Sequence, residues 1–152
     1  MTEDRARKVY AIDRGTVIDH IPSPLALKVV EILGVKQEGI LTIGINFKSA
    51  KLGSKDIVKV ENLKLTESVT DRLALVAPTA TINIIEQGRV VEKRPIHIPR
   101  EFHGLLRCPN PKCITNVEEV TTVFHLEGEP PHPAVRCHYC ERLYKNPGEL
   151  VE

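Results

Sequence analysis

Residues 14–34 read RGTVIDHIPSPLALKVVEILG, a strand that hands directly over to a helix. Val17, Ile18 and Ile21 form the short, β-branched apolar run of a buried strand. Ser23 can then cap a helix and Pro24 fits its first turn. Leu25, Val29 and Ile32 recur at helical spacing, Leu27, Val30 and Leu33 widen that face, and Gly34 is a good stop. Gly15 permits a turn or bulge between this strand and the extended KVYAID of residues 8–13.

The rest of the first hundred residues completes the unit. ILTIGINF (40–47) and DIVKVEN (56–62) read as strands around the turn-rich KSAKLGSK. Thr66 can cap a second helix to about Val76, with Val69, Leu73 and Val76 inward and Pro78 ending it. ATINII (80–85) is a strand, EQGR a turn and VVEK (90–93) a return strand. The order β, α, β, β, α, β with an extra hairpin is the split pattern of a ferredoxin-like domain. Such a domain is an antiparallel sheet with two helices on one face and the other face left for a ligand or partner. KRPIHIPREFHG (93–104) sustains no period and reads as a stiff linker. The expected class is α+β, with residues 1–98 forming this domain and 99–152 a small all-β zinc-ribbon or rubredoxin-like domain.

The totals fit two small modules. The chain has 152 residues, 41% of them apolar, with no Trp, so its cores must be aliphatic. No apolar run approaches the roughly 18 residues of a membrane span, and MTEDRARKVY lacks the apolar stretch of a signal peptide; a cytoplasmic protein is expected. Residues 1–100 hold 16 Lys/Arg against 12 Asp/Glu, whereas residues 101–152 hold 5 against 8 and all four cysteines.

Those cysteines are the strongest signal: Cys108-x4-Cys113, then Cys137-x2-Cys140. Two close pairs can converge on one ion, and Zn²⁺ suits four thiolates in a tetrahedron. Disulfides are the alternative, but they are rare in the cytoplasm. Four sulfurs leave no open position, so one structural zinc is expected and His138, between two of them, reads as a surface residue. About 45 residues are too few for an independent core, and zinc can supply on the order of 10–16 kcal/mol of folding free energy. The module's acidic balance argues against phosphate contacts, which need clustered Lys/Arg; a protein-facing role is the better reading.

The first module carries no nucleophilic elbow, phosphate loop or GxGxxG. It offers instead polar residues on strands: Asp19, His20, Lys55, Lys59, Asn83, Lys93 and Arg94. Singly, each is explained by solvation or snorkelling. Together they supply cations for phosphates and acceptors for a ribose, without an obvious catalyst. Asp19 and His20 pose a puzzle, because neighbours on a regular strand point to opposite faces. Either the strand ends there or it bulges; Pro22 and the helix start favour an ending, with Asp19 towards a ribose and His20 towards phosphates.

RGTVIDHIP, LTIGIN, KDIVKVEN, LALVAP with ATINII, and the CPN, CI and YCE segments around the cysteines together resemble the regulatory chains of aspartate carbamoyltransferase. The resemblance runs from about Val9 to the last cysteine pair. It implies a chain that does no chemistry, a homodimer through the first domain, and docking of the zinc domain on the catalytic chain. It implies CTP as inhibitor and ATP as competing activator of pyrimidine biosynthesis, with UTP a further candidate effector. By position it places Asp19 and Lys59 at the ribose, His20 and Lys93 at the phosphates with Asn83 nearby, and the backbone of Ala11 and Ile12 at the base. Ile85 and Val90 would line the pocket, and Lys55 is a weaker candidate. Asn110 and Glu141 fall in the knuckles that face the catalytic chain. Two positions depart from the pattern: Gly88 stands where the family can carry an aromatic, and Tyr10 where it has an acidic residue.

Two other functions are open to the residues alone. A zinc-ribbon nucleic-acid adaptor would show a salt-dependent gel shift, and a small nucleotide-handling enzyme would turn over ATP or CTP unaided.

Overall fold

The computed structural model describes residues 12–35, 39–129 and 132–151. By internal contacts the chain forms two compact units: residues up to Thr66 with Thr79–Ile96, and Glu67–Pro78 with His97 onward.

The first unit is a five-stranded antiparallel sheet of β1 (Gly15–Pro22), β2 (Leu41–Ser49), β3 (Gly53–Glu61), β4 (Thr81–Glu86) and β5 (Arg89–Pro95). Their order is β2-β3-β1-β4-β5, the ferredoxin-like arrangement extended at one edge by β5. Thr16 pairs with Val60 and Ile84, and Ile18 with Val58 and Ile82. Cross-strand partners share a face, so Thr16, Ile18, Val58, Val60 and Ile82, all buried, make one apolar side. Helix α1 (Ala26–Leu33) covers it, burying Ala26, Val29 and Leu33. Full burial of a Val or Leu is worth about 1.5–3 kcal/mol.

Helix α1 begins later than Ser23 suggests and takes no cap from its own flank. The Leu25 N–H instead donates to the Pro22 carbonyl (2.9 Å), so residues 22–25 turn first. The cap comes from across the sheet. Asp56, fully buried on β3, accepts the Ala26 N–H at 3.0 Å through one carboxylate oxygen and the Asn46 N–H at 2.9 Å through the other. One side chain thereby closes the helix start and holds the β2 irregularity between Gly44 and Phe47. At the other end Gly34 takes the left-handed conformation expected of a helix stop. Gly15 sits at φ +151°, where a Cβ would run into the Val60 carbonyl oxygen.

The second unit holds the sheet β6-β7-β8-β9, made of β6 (Glu101–His103), β7 (Val123–Glu127), β8 (Ala134–Cys137) and β9 (Leu143–Tyr144). Strand β6 lies inside the stretch read as linker. Its three residues are too few to show a period, but Phe102 pairs with Phe124, which pairs with Cys137, and all three are buried. Helix α2 (Glu67–Val76) belongs to this unit: its Leu75 joins the core of Phe102, Leu106, Phe124 and Val135 with three of the cysteines. A one-turn helix α3 (Ile114–Val117) and a 3₁₀ turn (Pro147–Leu150) complete it. The C-terminal segment closes the module through the Arg107 N–H to the Leu150 carbonyl and a Leu106–Val151 bridge.

Candidate functional site

The four cysteines converge. One Sγ from each lies within 4.8 Å of all the others, the only such grouping of three or more candidate ligands among the described residues. Cys108–Cys140 and Cys113–Cys137 are each 3.7 Å apart. A disulfide holds its sulfurs at about 2.05 Å, whereas a tetrahedron with Zn–S of about 2.3 Å has edges of about 3.8 Å. The donor set and spacing therefore fit a four-sulfur metal site.

Local structure aims the thiols. In the first knuckle the Cys113 N–H donates to the Asn110 carbonyl, and Asn116 Nδ2 donates to the carbonyls of Cys108 and Asn110. In the second, the Cys137 N–H donates to the Arg142 carbonyl and the Glu141 N–H to the Cys137 carbonyl, with Glu141 left-handed at φ 62°. Arg136 braces that turn: its Nη1 donates to the Glu141 carbonyl while Nε and Nη2 clamp Glu127.

Burial pushes the Cys137 thiol up to about 12 and raises Cys108 too. Burial also penalises the other two, but hydrogen bonds outweigh it. The Thr115 hydroxyl and N–H bring Cys113 down, and the Arg142 N–H, the Asn110 side chain and neighbouring thiols bring Cys140 down to about 6. Metal binding takes thiolates, and the hydrogen bonds at Cys113 and Cys140 favour that form. His138 is exposed, with Nδ1 2.9 Å from His125 Nε2, and stays outside the sulfur set.

On the first unit the register assembles the polar residues. Val17 pairs with Lys59 on one side and Asn83 on the other, and Asn83 pairs with Lys93. These four form one row across four strands, on the face opposite α1. Strand spacing makes the row about 14 Å long. Asp19, two residues beyond Val17, shares the face. Gly15, two residues before it, pairs with Ile85, which pairs with Val90, so these also share it. Ile12 is buried nearby in sequence, and the Gly88 N–H donates to the Asp13 carbonyl, tying the β4–β5 turn to this segment. Ala11 lies outside the described residues.

The Asp19–His20 pair is resolved by a bulge. Pairing with β3 slips between Ile18 and Ile21, and His20 is left-handed at φ 58°. The strand does not end, as Pro22 suggested; it resumes with Ile21 back in the core. The extra residue lets both polar side chains reach one side, with His20 Nδ1 3.8 Å from Asp19 Oδ2 and both half-buried. Thr79 and Thr81 fix the histidine: the Thr79 hydroxyl donates to its carbonyl, and the Thr81 hydroxyl lies 3.2 Å from Nδ1. Asp19 is held by Lys55, whose Nζ is 3.0 Å away, so Lys55 belongs to this constellation more firmly than its sequence position indicated. Asn110 is buried, its Oδ1 accepting the Lys112 N–H, whereas Glu141 is exposed.

A sheet face lined with cations on one unit and a four-thiol cluster on the other define a two-module chain whose second module has the donor set of a metal-binding domain. Residues 7–97 match the family described as aspartate carbamoyltransferase regulatory chain, allosteric domain, and residues 100–147 match its metal binding domain. Relatives named aspartate carbamoyltransferase regulatory chain include one from Pyrococcus horikoshii, 53% identical over 138 residues that cover 89% of this chain and 90% of the relative. One from Thermococcus sibiricus is 52% identical over 89% of both chains, and one from Phocaeicola vulgatus is 45% identical over 95% and 93%. The chain belongs to the aspartate carbamoyltransferase regulatory-chain family: it is a non-catalytic subunit with an allosteric and a metal-binding domain and a catalytic-chain partner. No described helix is long and apolar enough to cross a membrane.

Proposed function

We propose that this chain, working in the cytoplasm, sets the rate of pyrimidine biosynthesis by binding CTP as inhibitor and ATP as competing activator on the open face of its first sheet. The observation that carries this is the Lys59–Val17–Asn83–Lys93 row, with Asp19 and His20 raised beside it by the bulge. Lys59 and Asp19 hold the ribose and Lys93 and His20 the phosphates. Asn83 lies between them, and Ile85 and Val90 flank the base, whose amino group is read by the backbone of Ala11 and Ile12. UTP has the same phosphates and ribose and is a further effector. Lys55 keeps Asp19 oriented.

One structural Zn²⁺ fills the cysteine site, since four thiolates in a tetrahedron suit it and leave no open position. The zinc domain, residues 99–152, docks on the catalytic chain through the knuckles bearing Asn110 and Glu141, beside the exposed Ile114 and Val117. The domain of residues 1–98 pairs with a second copy; the exposed apolar residues Ile45 and Phe47 on edge strand β2 support this. An effector shifts the assembly only by binding its two states unequally, and the coupling is reciprocal.

Amide NMR on the full chain tests the site. CTP should shift Val17, Lys59, Asn83 and Lys93 and ATP should displace it; shifts confined to the other face of the sheet would contradict the assignment.

A further inference from the structure

The outer face of the metal module carries a second set of ligand-type side chains that the cysteine site does not use. Glu101 on β6 pairs directly with His125 on β7, so both project from the face opposite Phe102 and Phe124. His125 Nε2 lies 2.9 Å from His138 Nδ1, just past β8. On its other side His125 Nδ1 faces Glu101 Oε1 at 3.5 Å, and the second Glu101 oxygen is 3.1 Å from His103 Nε2. Tyr139 packs edge-on against the His138 ring, centroids 5.2 Å apart, and its hydroxyl is anchored on the Thr121 carbonyl.

Each feature is one that a metal-binding imidazole uses. The Glu101 carboxylate faces Nδ1 and leaves Nε2 on the side of His138; such outer partners orient a ligating ring. The neighbouring carboxylate and tyrosine hold both rings in place. A proton between the two nitrogens accounts for their separation. If both rings turn their lone pairs onto one ion about 2.1 Å from each nitrogen, at this separation, the N–metal–N angle is about 90°. That is the cis angle of a square-planar or octahedral centre. A tetrahedral centre would spread the nitrogens to about 3.4 Å. Nitrogen and oxygen ligands at right angles favour Cu²⁺ or Ni²⁺, and the exposed position leaves the remaining positions to water.

We propose that His125 and His138, oriented by Glu101 and Tyr139, form a solvent-open site for a divalent transition ion of tetragonal preference, separate from the four-cysteine centre. Titration of the zinc-loaded full chain with NiCl₂, followed by calorimetry with zinc measured before and after, should show one Ni²⁺ bound per chain and no zinc lost. His125→Gln and His138→Gln should each weaken that binding by about tenfold or more. Glu101→Gln should weaken it by about 10–100-fold as an outer partner, and the exposed His97→Gln should leave it unchanged. All these side chains lie on the surface, and retained zinc reports that each variant is folded. Cu²⁺ electron paramagnetic resonance on the unaltered chain needs no variant and should show two equatorial nitrogens. No bound nickel, nickel affinity unchanged from the unaltered chain in both histidine variants, displacement of zinc, or sulfur ligation of copper would each overturn the proposal.

Discussion

Replacing Asp56 tests how the first unit is held together. Its carboxylate is fully buried and accepts two backbone N–H groups, those of Ala26 and Asn46. Hydrogen bonds to a charged group contribute about 1.5–3 kcal/mol each, and a buried donor left without a partner costs its desolvation. Asp56→Ala removes both acceptors and strands both donors, so the loss is about 3–5 kcal/mol. Asp56→Asn keeps one acceptor and turns an NH₂ towards the other donor, for a loss of about 1.5–3 kcal/mol by the same reasoning. A domain of 60–100 residues loses roughly 4–8 °C in Tm per kcal/mol, which puts Asp56→Ala roughly 20 °C below wild type and Asp56→Asn between them. Circular dichroism melts give the order, and hydrogen exchange gives the location: Ala26 and Asn46 should lose protection first. An Ala variant melting within a few degrees of wild type, or exchanging fastest elsewhere, would refute the role given to this carboxylate.

Other expectations are more local. Lys93→Ala should weaken nucleoside triphosphates far more than the parent nucleosides in calorimetry; equal losses would contradict a phosphate role. Removing the metal with a chelator should unfold the second unit and also expose the α2 amides of Leu73–Val76, because Leu75 belongs to that core; exchange mass spectrometry showing α2 unaffected would count against this packing. The Arg136 clamp holds Glu127 below the usual carboxylate range. This contribution is present above the carboxyl's unfolded pKa and is lost as pH falls through the lower folded one. An NMR titration should find Glu127 depressed and Arg136→Gln should restore it; no change on substitution would refute the clamp.

What could be read from the sequence divides along local and non-local lines. The succession of β1 and α1, the cysteine knuckles and the Gly34 stop depend on neighbours in the chain, and they appear as expected, although the helix starts three residues after Ser23. The cap of α1 does not, because its acceptor comes from β3: a charged residue near a strand start gives no sign that a helix end and a strand irregularity will meet on it. Strand β6 escapes for a similar reason, since three residues just after Pro99 become a strand only through Phe102 against Phe124. Helix α2 reads as part of the first domain, yet Leu75 finds its core in the second unit. The polar inventory of β1, β3, β4 and β5 is visible in the sequence, but the register that aligns Lys59, Asn83 and Lys93 is not. Nor is the bulge that turns Asp19 and His20 to one side, or the hold of Lys55 on Asp19. Thr79 and Thr81, spaced like the strand they flank, were the available clue to where His20 is fixed.

The central claim is that one chain couples nucleotide binding on the sheet face to docking through the metal module. It is tested most directly by mixing the chain, with and without zinc, with the catalytic chain of aspartate carbamoyltransferase, and measuring CTP binding by calorimetry. The account predicts a complex that forms only with zinc, binds CTP competitively with ATP, and changes its CTP affinity when the catalytic chain is liganded. No zinc-dependent complex and no CTP binding would contradict it.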